Sequence, residues 1–273
     1  MLRTCALMRP ASCILLLASC LLLIASCFFL PACAPQPLAV TREPTHLRLV
    51  AADTCGSFVE ELAVAYEKSH AWARVEVVGV FNSALAEQTL RTGEADLALL
   101  SWIEPSDVLW SQPFARDGIA IIAHPDTPLN EVGLALLREI YRGRVQEWEG
   151  VPLTPVSREE GSGTRAAFES LVLGNLTTTP TAVVESSSDA VVEYVARTPA
   201  SLGYVSTLWL TDGVRVLPVE GVLPTRETIA DGSYPLWQPL VMATVGEPTG
   251  EAREFAQWVL GPEGQAVVGQ MAR

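Results

Sequence analysis

The sequence predicts an α/β protein with mainly parallel sheets covered by helices on both faces. Three observations lead there. Beyond residue 44, short apolar runs of strand type keep alternating with stretches whose apolar residues recur at helical spacing. Regular alternation of this kind favours parallel strands joined through helices. No internal repeat occurs at the periods that mark solenoids, and at 273 residues the chain can form one large domain or two ordinary ones.

The elements follow in order. His46 to Ala51 alternates as a strand, and Phe58, Leu62, Ala65 and Tyr66 then mark a helix face. Arg74 to Val80 reads as the second strand, and Ala84 to Arg91 as a helix ending near Gly93. Asp96 to Leu100 is a short strand of the buried type, and Gly118 to Ala123 another apolar run, closed by His124-Pro125. Val132 to Tyr141 is helical, with Asn130 available as its N-cap. Further strands are expected at Ala182 to Val184, Leu202 to Val205 and Pro239 to Val245, with a helix at Asp189 to Arg197. The last long helix starts near Glu251, presents Phe255, Trp258 and Val259 on one face, and is interrupted at Pro262 and Gly264.

Residues 1–33 are a different kind of sequence. Arg3 and Arg9 precede an uncharged apolar run from Ala11 to Leu30. A positive start before an apolar stretch is the pattern of an export signal. The run exceeds the usual ~7–15 residues and is close to the ~20 that span a bilayer, so an uncleaved anchor is the alternative. Cys5, Cys13, Cys20, Cys27 and Cys33 all lie in this leader, and only Cys55 lies beyond it, which excludes a disulfide framework in the rest of the chain. The residues before Cys20, Cys27 and Cys33 resemble a lipoprotein processing box. Cleavage at Cys20 would leave Leu21 to Leu30 as a bare apolar tail. Cys33 is preferred, with Cys27 as the alternative, because the Pro-rich linker of residues 34–44 follows it. Either choice tethers the folded part outside the cytoplasm.

Composition narrows the function. The formal net charge is −13, with a single lysine, Lys68, and this balance argues against nucleic acid, which selects a basic face. It does not exclude an anionic ligand, because charges beyond a Debye length of about 8 Å are largely screened at physiological salt. His46, His70 and His124 are scattered and no CxxC is present, so no metal site is expected. Gly161-Ser162-Gly163 lacks the spacing of a nucleophile elbow, and no histidine follows His124 to act as its base, so hydrolysis by Ser162 is disfavoured. Walker and dinucleotide-binding glycine patterns are absent, and no cofactor is implied.

The most informative segment is Ser157 to Glu169, S-R-E-E-G-S-G-T-R-A-A-F-E. It places an arginine, a carboxylate, two glycines and two hydroxyls at the start of a predicted helix. The unpaired N–H groups and partial positive charge of a helix start suit an anion. Gly161 and Gly163 allow a close backbone approach, Arg158 offers a guanidinium fork, and Ser162 and Thr164 add hydroxyls. The plainer reading is a loop capped by Thr164. Three other segments share this character. They are Asp53-Thr54-Cys55-Gly56-Ser57 after the first strand, Asn82-Ser83 at the second helix, and Ser101-Trp102 at the end of the third strand, where ligands gather in open α/β sheets. Singly each could be a helix cap; together they point to one site.

These segments, with Gly93-Glu94-Ala95-Asp96, Asp117-Gly118-Ile119-Ala120, Ile140-Tyr141-Arg142-Gly143 and Trp148, Ala190 to Val205, and Tyr234 to Gln265, resemble the phosphate-binding (PstS type) component of phosphate ABC transporters. The resemblance covers nearly everything after the linker. It implies a two-lobed periplasmic-binding-protein type II fold, each lobe a mainly parallel sheet flanked by helices, joined by two crossover strands. Lobe I would comprise residues 45–123 and 235–273, and lobe II residues 124–234. It further implies a monomeric capture protein, not an enzyme, held outside the cell membrane by a lipid anchor. Such a protein takes inorganic phosphate into the cleft and delivers it to an ABC permease. Another oxyanion, or a signalling or adhesion module without ligand, is the alternative.

The same resemblance implies contacts from Thr54, Cys55 (through its amide), Ser83 and Ser101 on lobe I. From lobe II it implies Arg158, Glu160, Ser162, Gly163 and Thr164. Two positions depart from the family. Trp102 stands where a charged or polar residue is usual, and Glu160 where aspartate is common. Phosphate retains a proton at neutral pH, so a carboxylate acceptor favours it over sulfate; Glu160 is the residue expected either to accept that proton or to pair with Arg158.

Overall fold

A computed structural model of the protein describes residues 43–103, 108–174 and 176–271. The leader, both candidate lipidation cysteines Cys27 and Cys33, and most of the linker lie outside the described residues.

The eleven strands among the described residues are β1 (Thr45–Ala52), β2 (Ala73–Phe81), β3 (Leu97–Leu100), β4 (Leu109–Ala123), β5 (Glu147–Trp148), β6 (Val151–Pro152), β7 (Thr154–Arg158), β8 (Val183–Glu185), β9 (Ser201–Ser206), β10 (Arg215–Leu217) and β11 (Trp237–Val245). The helices are α1 (Gly56–Ser69), α2 (Ser83–Arg91), α3 (Leu134–Tyr141), α4 (Gly163–Phe168), α5 (Ser188–Arg197), α6 (Arg226–Asp231), α7 (Gly250–Leu260) and α8 (Pro262–Met271). The principal strands follow one path, β2-β1-β3-β11-β4-β9-β7-β8, with β10 also on β4. The outer pairs β1–β2, β1–β3, β7–β8 and β7–β9 are parallel, whereas β4 and β11 run antiparallel to their neighbours.

The long strand β4 makes the passage between lobes. Leu109 to Gly118 pairs with β11, and Ile119 to Ala123 pairs with β9. Ile119, Ile121 and Ala123 share a core with Leu137, Phe168 and Tyr204 of the second lobe. The chain therefore changes partner strands between Gly118 and Ile119.

Strand β4 also starts earlier than Gly118, the expected first residue. A proline inside a polar stretch argues against a strand, because it cannot donate to the ladder. Here Pro113 sits opposite Val241 at a register shift, and Phe114 is left without a cross-strand partner. The bulge turns Phe114 into the first lobe's core, edge-to-face with Phe58 at 5.7 Å.

Each sheet is covered on both faces, so β1 buries Leu47 and Leu49 on one side and Val50 and Ala52 on the other. In the second lobe Phe168 stacks on Tyr204 at 4.0 Å, and Tyr141 meets Phe168 at 4.7 Å. Helix α3 begins at Leu134, later than expected, and Asn130 does not cap it. Glu220 Oε1 accepts the Leu134 N–H at 2.6 Å, while Asn130 accepts from Arg215 at 2.8 Å. Pro262 opens α8, where its missing N–H costs nothing. Among the described residues no helix is long and apolar enough to cross a membrane.

Candidate functional site

The site forms where the ends of β1, β3 and β7 meet the starts of α1, α2 and α4. From lobe I come Asp53, Thr54 and Cys55, on a 3-10 turn between β1 and α1. Ser83 is the first residue of α2, and Ser101 follows β3 directly. Lobe II contributes Arg158, the last residue of β7, and the loop from Glu159 into α4.

These groups meet in pairs. Thr54 Oγ1 lies 3.1 Å from Thr164 Oγ1 across the two lobes, and Ser83 Oγ lies 3.1 Å from Ser101 Oγ. The Ala84 N–H donates to Gly161 O at 3.0 Å, a backbone bond that also crosses. Thr54, Cys55, Ser83, Ser101, Arg158, Ser162, Gly163 and Thr164 are all buried.

Arg158 is the electrostatic centre, with its side chain 1% exposed. Its Nε and Nη2 donate to the two oxygens of Glu159 at 2.8 and 2.9 Å. Its Nη1 donates to Ser188 Oγ at 2.6 Å and lies 2.9 Å from Asp53 Oδ2. Ser188 in turn donates to Asp53 Oδ2 at 2.9 Å. Burial disfavours the guanidinium cation, but the Glu159 hydrogen bonds and the charges of Asp53 and Glu159 outweigh that, and its pKa is raised. With both carboxylates ionised, the group around this arginine carries one net negative charge.

Glu160 departs from expectation. It is exposed, and Glu159 rather than Glu160 holds Arg158. The Glu159 N–H still extends the ladder by donating to Glu185 O, so its side chain stays beside β7; Glu160 follows at the turn. Asp53, read from sequence as no more than a possible cap, is the partly buried carboxylate that lobe I brings to Arg158. Ser188 was not anticipated either, and nothing in its local sequence marks it.

The two glycines serve the approach of the lobes. Gly161 adopts φ +89°, and a Cβ there would lie 3.0 Å from the Ala84 Cβ. A Cβ on Gly163 would lie 2.3 Å from both Ser83 Oγ and Ser101 Oγ. The cap of α4 is Ser162, whose Oγ accepts from Arg165 N at 3.3 Å, and not Thr164. Asn82 caps α2 through Leu85 N, leaving the Ser83 hydroxyl to Ser101. Cys55 caps α1 without a side-chain bond; burial, with Asp117 and Asp53 nearby, pushes its thiol pKa up, so its contribution is its backbone.

Beneath the site, Asp117 accepts from Thr207 Oγ1 and Gln238 Nε2, each at 2.9 Å, where both crossover strands meet. Burial raises its pKa to about 6, partly offset by hydrogen bonds from Gln238, Ser206 and Thr207. Trp102 leaves lobe I and packs against the core of lobe II. It also lines a groove of about 480 Å³ with Ser83, Glu87, Glu160, Ser162 and Gly163 among its walls.

A family model described as a PBP superfamily domain matches residues 39–263. The chain belongs to the PBP superfamily. Within it, the phosphate-binding protein PstS of Bacillus subtilis (strain 168) is 32% identical over 148 residues, covering 52% of this chain and 49% of that protein. The PstS of Staphylococcus epidermidis (strain RP62A) is 24% identical over 242 residues, covering 78% of this chain and 74% of that protein. The chain thus spans about half the length of the B. subtilis relative.

Solved structures of the superfamily agree in fold. A Clostridium perfringens protein solved with bound phosphate superposes with a TM-score of 0.76 at 24% identity, covering 83% of this chain and 98% of that one. An ABC-type phosphate transport receptor from Vibrio cholerae superposes with a TM-score of 0.68 at 24% identity, covering 82% and 98%. The expected periplasmic-binding-protein type II fold is the one observed.

Proposed function

We propose that this protein captures inorganic phosphate between its lobes and passes it, chemically unchanged, to an ABC permease. The observation that carries the reading is the meeting of polar groups from both lobes: Thr54 with Thr164, Asp53 with Arg158, and the bonded Ser83 and Ser101 hydroxyls against Gly163 beside Ser162. Hydroxyls that now bond one another at 3.1 Å can turn to a ligand when the lobes part slightly. Charge-assisted hydrogen bonds contribute about 1.5–3 kcal/mol each, so several of them supply the roughly 8 kcal/mol of a micromolar site. The PstS relatives support the choice of phosphate.

Selectivity follows from charge. The net negative charge around Arg158 disfavours a fully ionised tetrahedral anion, and a carboxylate can accept a proton that phosphate carries and sulfate lacks. Asp53 and Glu159 supply that carboxylate in place of Glu160. Delivery at the outer face of the cell membrane, through an anchor on Cys33 or Cys27, belongs to the same reading and is supported by the leader sequence. Isothermal titration of the purified full-length protein with phosphate and with sulfate tests the function. Saturable heat with phosphate alone is expected, and no heat with phosphate at micromolar protein sinks the reading.

A further inference from the structure

The hydroxyl of Ser188 stands between two charges that belong to different lobes. It accepts from Arg158 Nη1 at 2.6 Å, within lobe II, and donates to Asp53 Oδ2 at 2.9 Å, across to lobe I. A serine has one proton to give. With Arg158 as the donor on one side, that proton points at Asp53, and Asp53 serves as its acceptor. Ser188 is buried, so this relay of charge-assisted bonds sits in a poorly screened setting.

The hydroxyl is not needed to start its helix. Ser188 opens α5, but the cap is Ser187, whose Oγ accepts from Ala190 N at 3.4 Å. The carboxylate oxygens around Arg158 are also unequally committed. Both oxygens of Glu159 accept from the guanidinium. Asp53 Oδ2 faces Ser188 and Nη1, whereas Oδ1 receives a long approach of 3.5 Å from Thr54 Oγ1, the hydroxyl that meets Thr164 between the lobes. Asp53 Oδ1 is thus the oxygen with accepting capacity left, and it lies at the interlobe hydroxyl pair.

Resting on the capture reading above, we propose that Ser188 is a specificity-determining positioning residue. It fastens Asp53 Oδ2 to Arg158, so that Asp53 Oδ1 accepts the hydrogen bond from the proton a bound phosphate carries. Ser188 itself does not touch the ligand. Without its hydroxyl, an Arg158 N–H is released to serve any oxyanion, and Asp53 loses a donor that fixes its orientation. Both changes favour sulfate, which has no proton to offer, at the expense of phosphate.

Competition titrations of the full-length protein with inorganic phosphate and sulfate test this in a double-mutant cycle of Ser188→Ala and Asp53→Asn. Ser188→Ala is expected to lower the ratio of phosphate to sulfate affinity by about tenfold, the scale of one hydrogen bond to a charged group. In the Asp53→Asn background the same substitution should leave the ratio unchanged, because the carboxylate through which Ser188 acts is gone. A merely structural serine would weaken both anions alike, or act equally in both backgrounds. Either result, or sulfate rejected as firmly by Ser188→Ala as by wild type, overturns the inference and leaves phosphate capture standing. No binding of phosphate by the wild type overturns both.

Discussion

Asp53 Oδ2 and Arg158 Nη1 lie 2.9 Å apart, one just after β1 and the other at the end of β7, so an ion pair ties lobe I to lobe II at the candidate site. Asp53 is 16% exposed and Arg158 1%, which places the pair in a poorly screened setting.

Asp53→Asn keeps the shape and removes one charge, leaving Arg158 balanced by Glu159 alone. Sulfate binding should then improve by about tenfold or more, about 1.4 kcal/mol, while the preference for phosphate narrows. Competition titrations at pH 7.5 read this ratio (roughly neutral, so that phosphate keeps a proton). Unchanged rejection of sulfate would show that Asp53 has no part in discrimination.

Gly163→Ala tests the close approach of the lobes. The new methyl would lie 2.3 Å from two buried hydroxyl oxygens and must displace the Ser83–Ser101 pair. Overpacking of this kind costs about 1–3 kcal/mol, and phosphate affinity should drop by at least about tenfold. Chemical denaturation and calorimetry measure the two effects separately. A variant with wild-type affinity would place Gly163 outside the region that closes on the ligand.

Asp117 predicts a pH dependence of stability. Its folded pKa, about 6, exceeds the ordinary 3.8, so the native state holds this proton more tightly than the unfolded chain. Its contribution is therefore complete below about pH 3.8 and is lost as the pH rises through about 6. The displacement corresponds to about 3 kcal/mol. Unfolding free energies of wild type and Asp117→Asn, compared from pH 4 to pH 8, should diverge by about that amount, with wild type losing more. Parallel curves would refute it.

Phe168→Ala removes the ring that stacks on Tyr204 at 4.0 Å, and should destabilise the protein by about 3–5 kcal/mol. Tyr204 also shares a hydrogen bond with Ser157 Oγ at 2.8 Å, immediately before Arg158. The loss should thus reach the site, weakening phosphate binding measured well below the variant's melting temperature. Weakened stability with intact affinity would show that Arg158 is held by its carboxylates alone.

Much of the fold was legible because periodicity is a local property. The strands at residues 45–52 and 73–81 and the helices at 56–69 and 83–91 follow from apolar spacing and flanking turn residues. The first part of β4 was not, since Pro113 and its polar neighbours read as loop until the bulge opposite β11 is known. The hydroxyls of the site were visible as helix starts. The carboxylates were not: Glu159 and Glu160 are adjacent, and the phase of one turn decides which of them meets Arg158. Asp53 could not be told from a cap, because its partners Arg158 and Ser188 lie far along the chain.

Strand β11 lies between β3 and β4, although it is the last strand in the sequence. During synthesis, residues 119–236 can pair and bury their own core as soon as they are available, for their strands are contiguous in the chain. The first lobe has no such independence, because its central strand arrives after everything else. An unfinished lobe I exposes the facing edges of β3 and β4, and exposed edges invite wrong pairing. The order of folding is thus set by where one strand sits: the half of the protein that is made first is the half completed last.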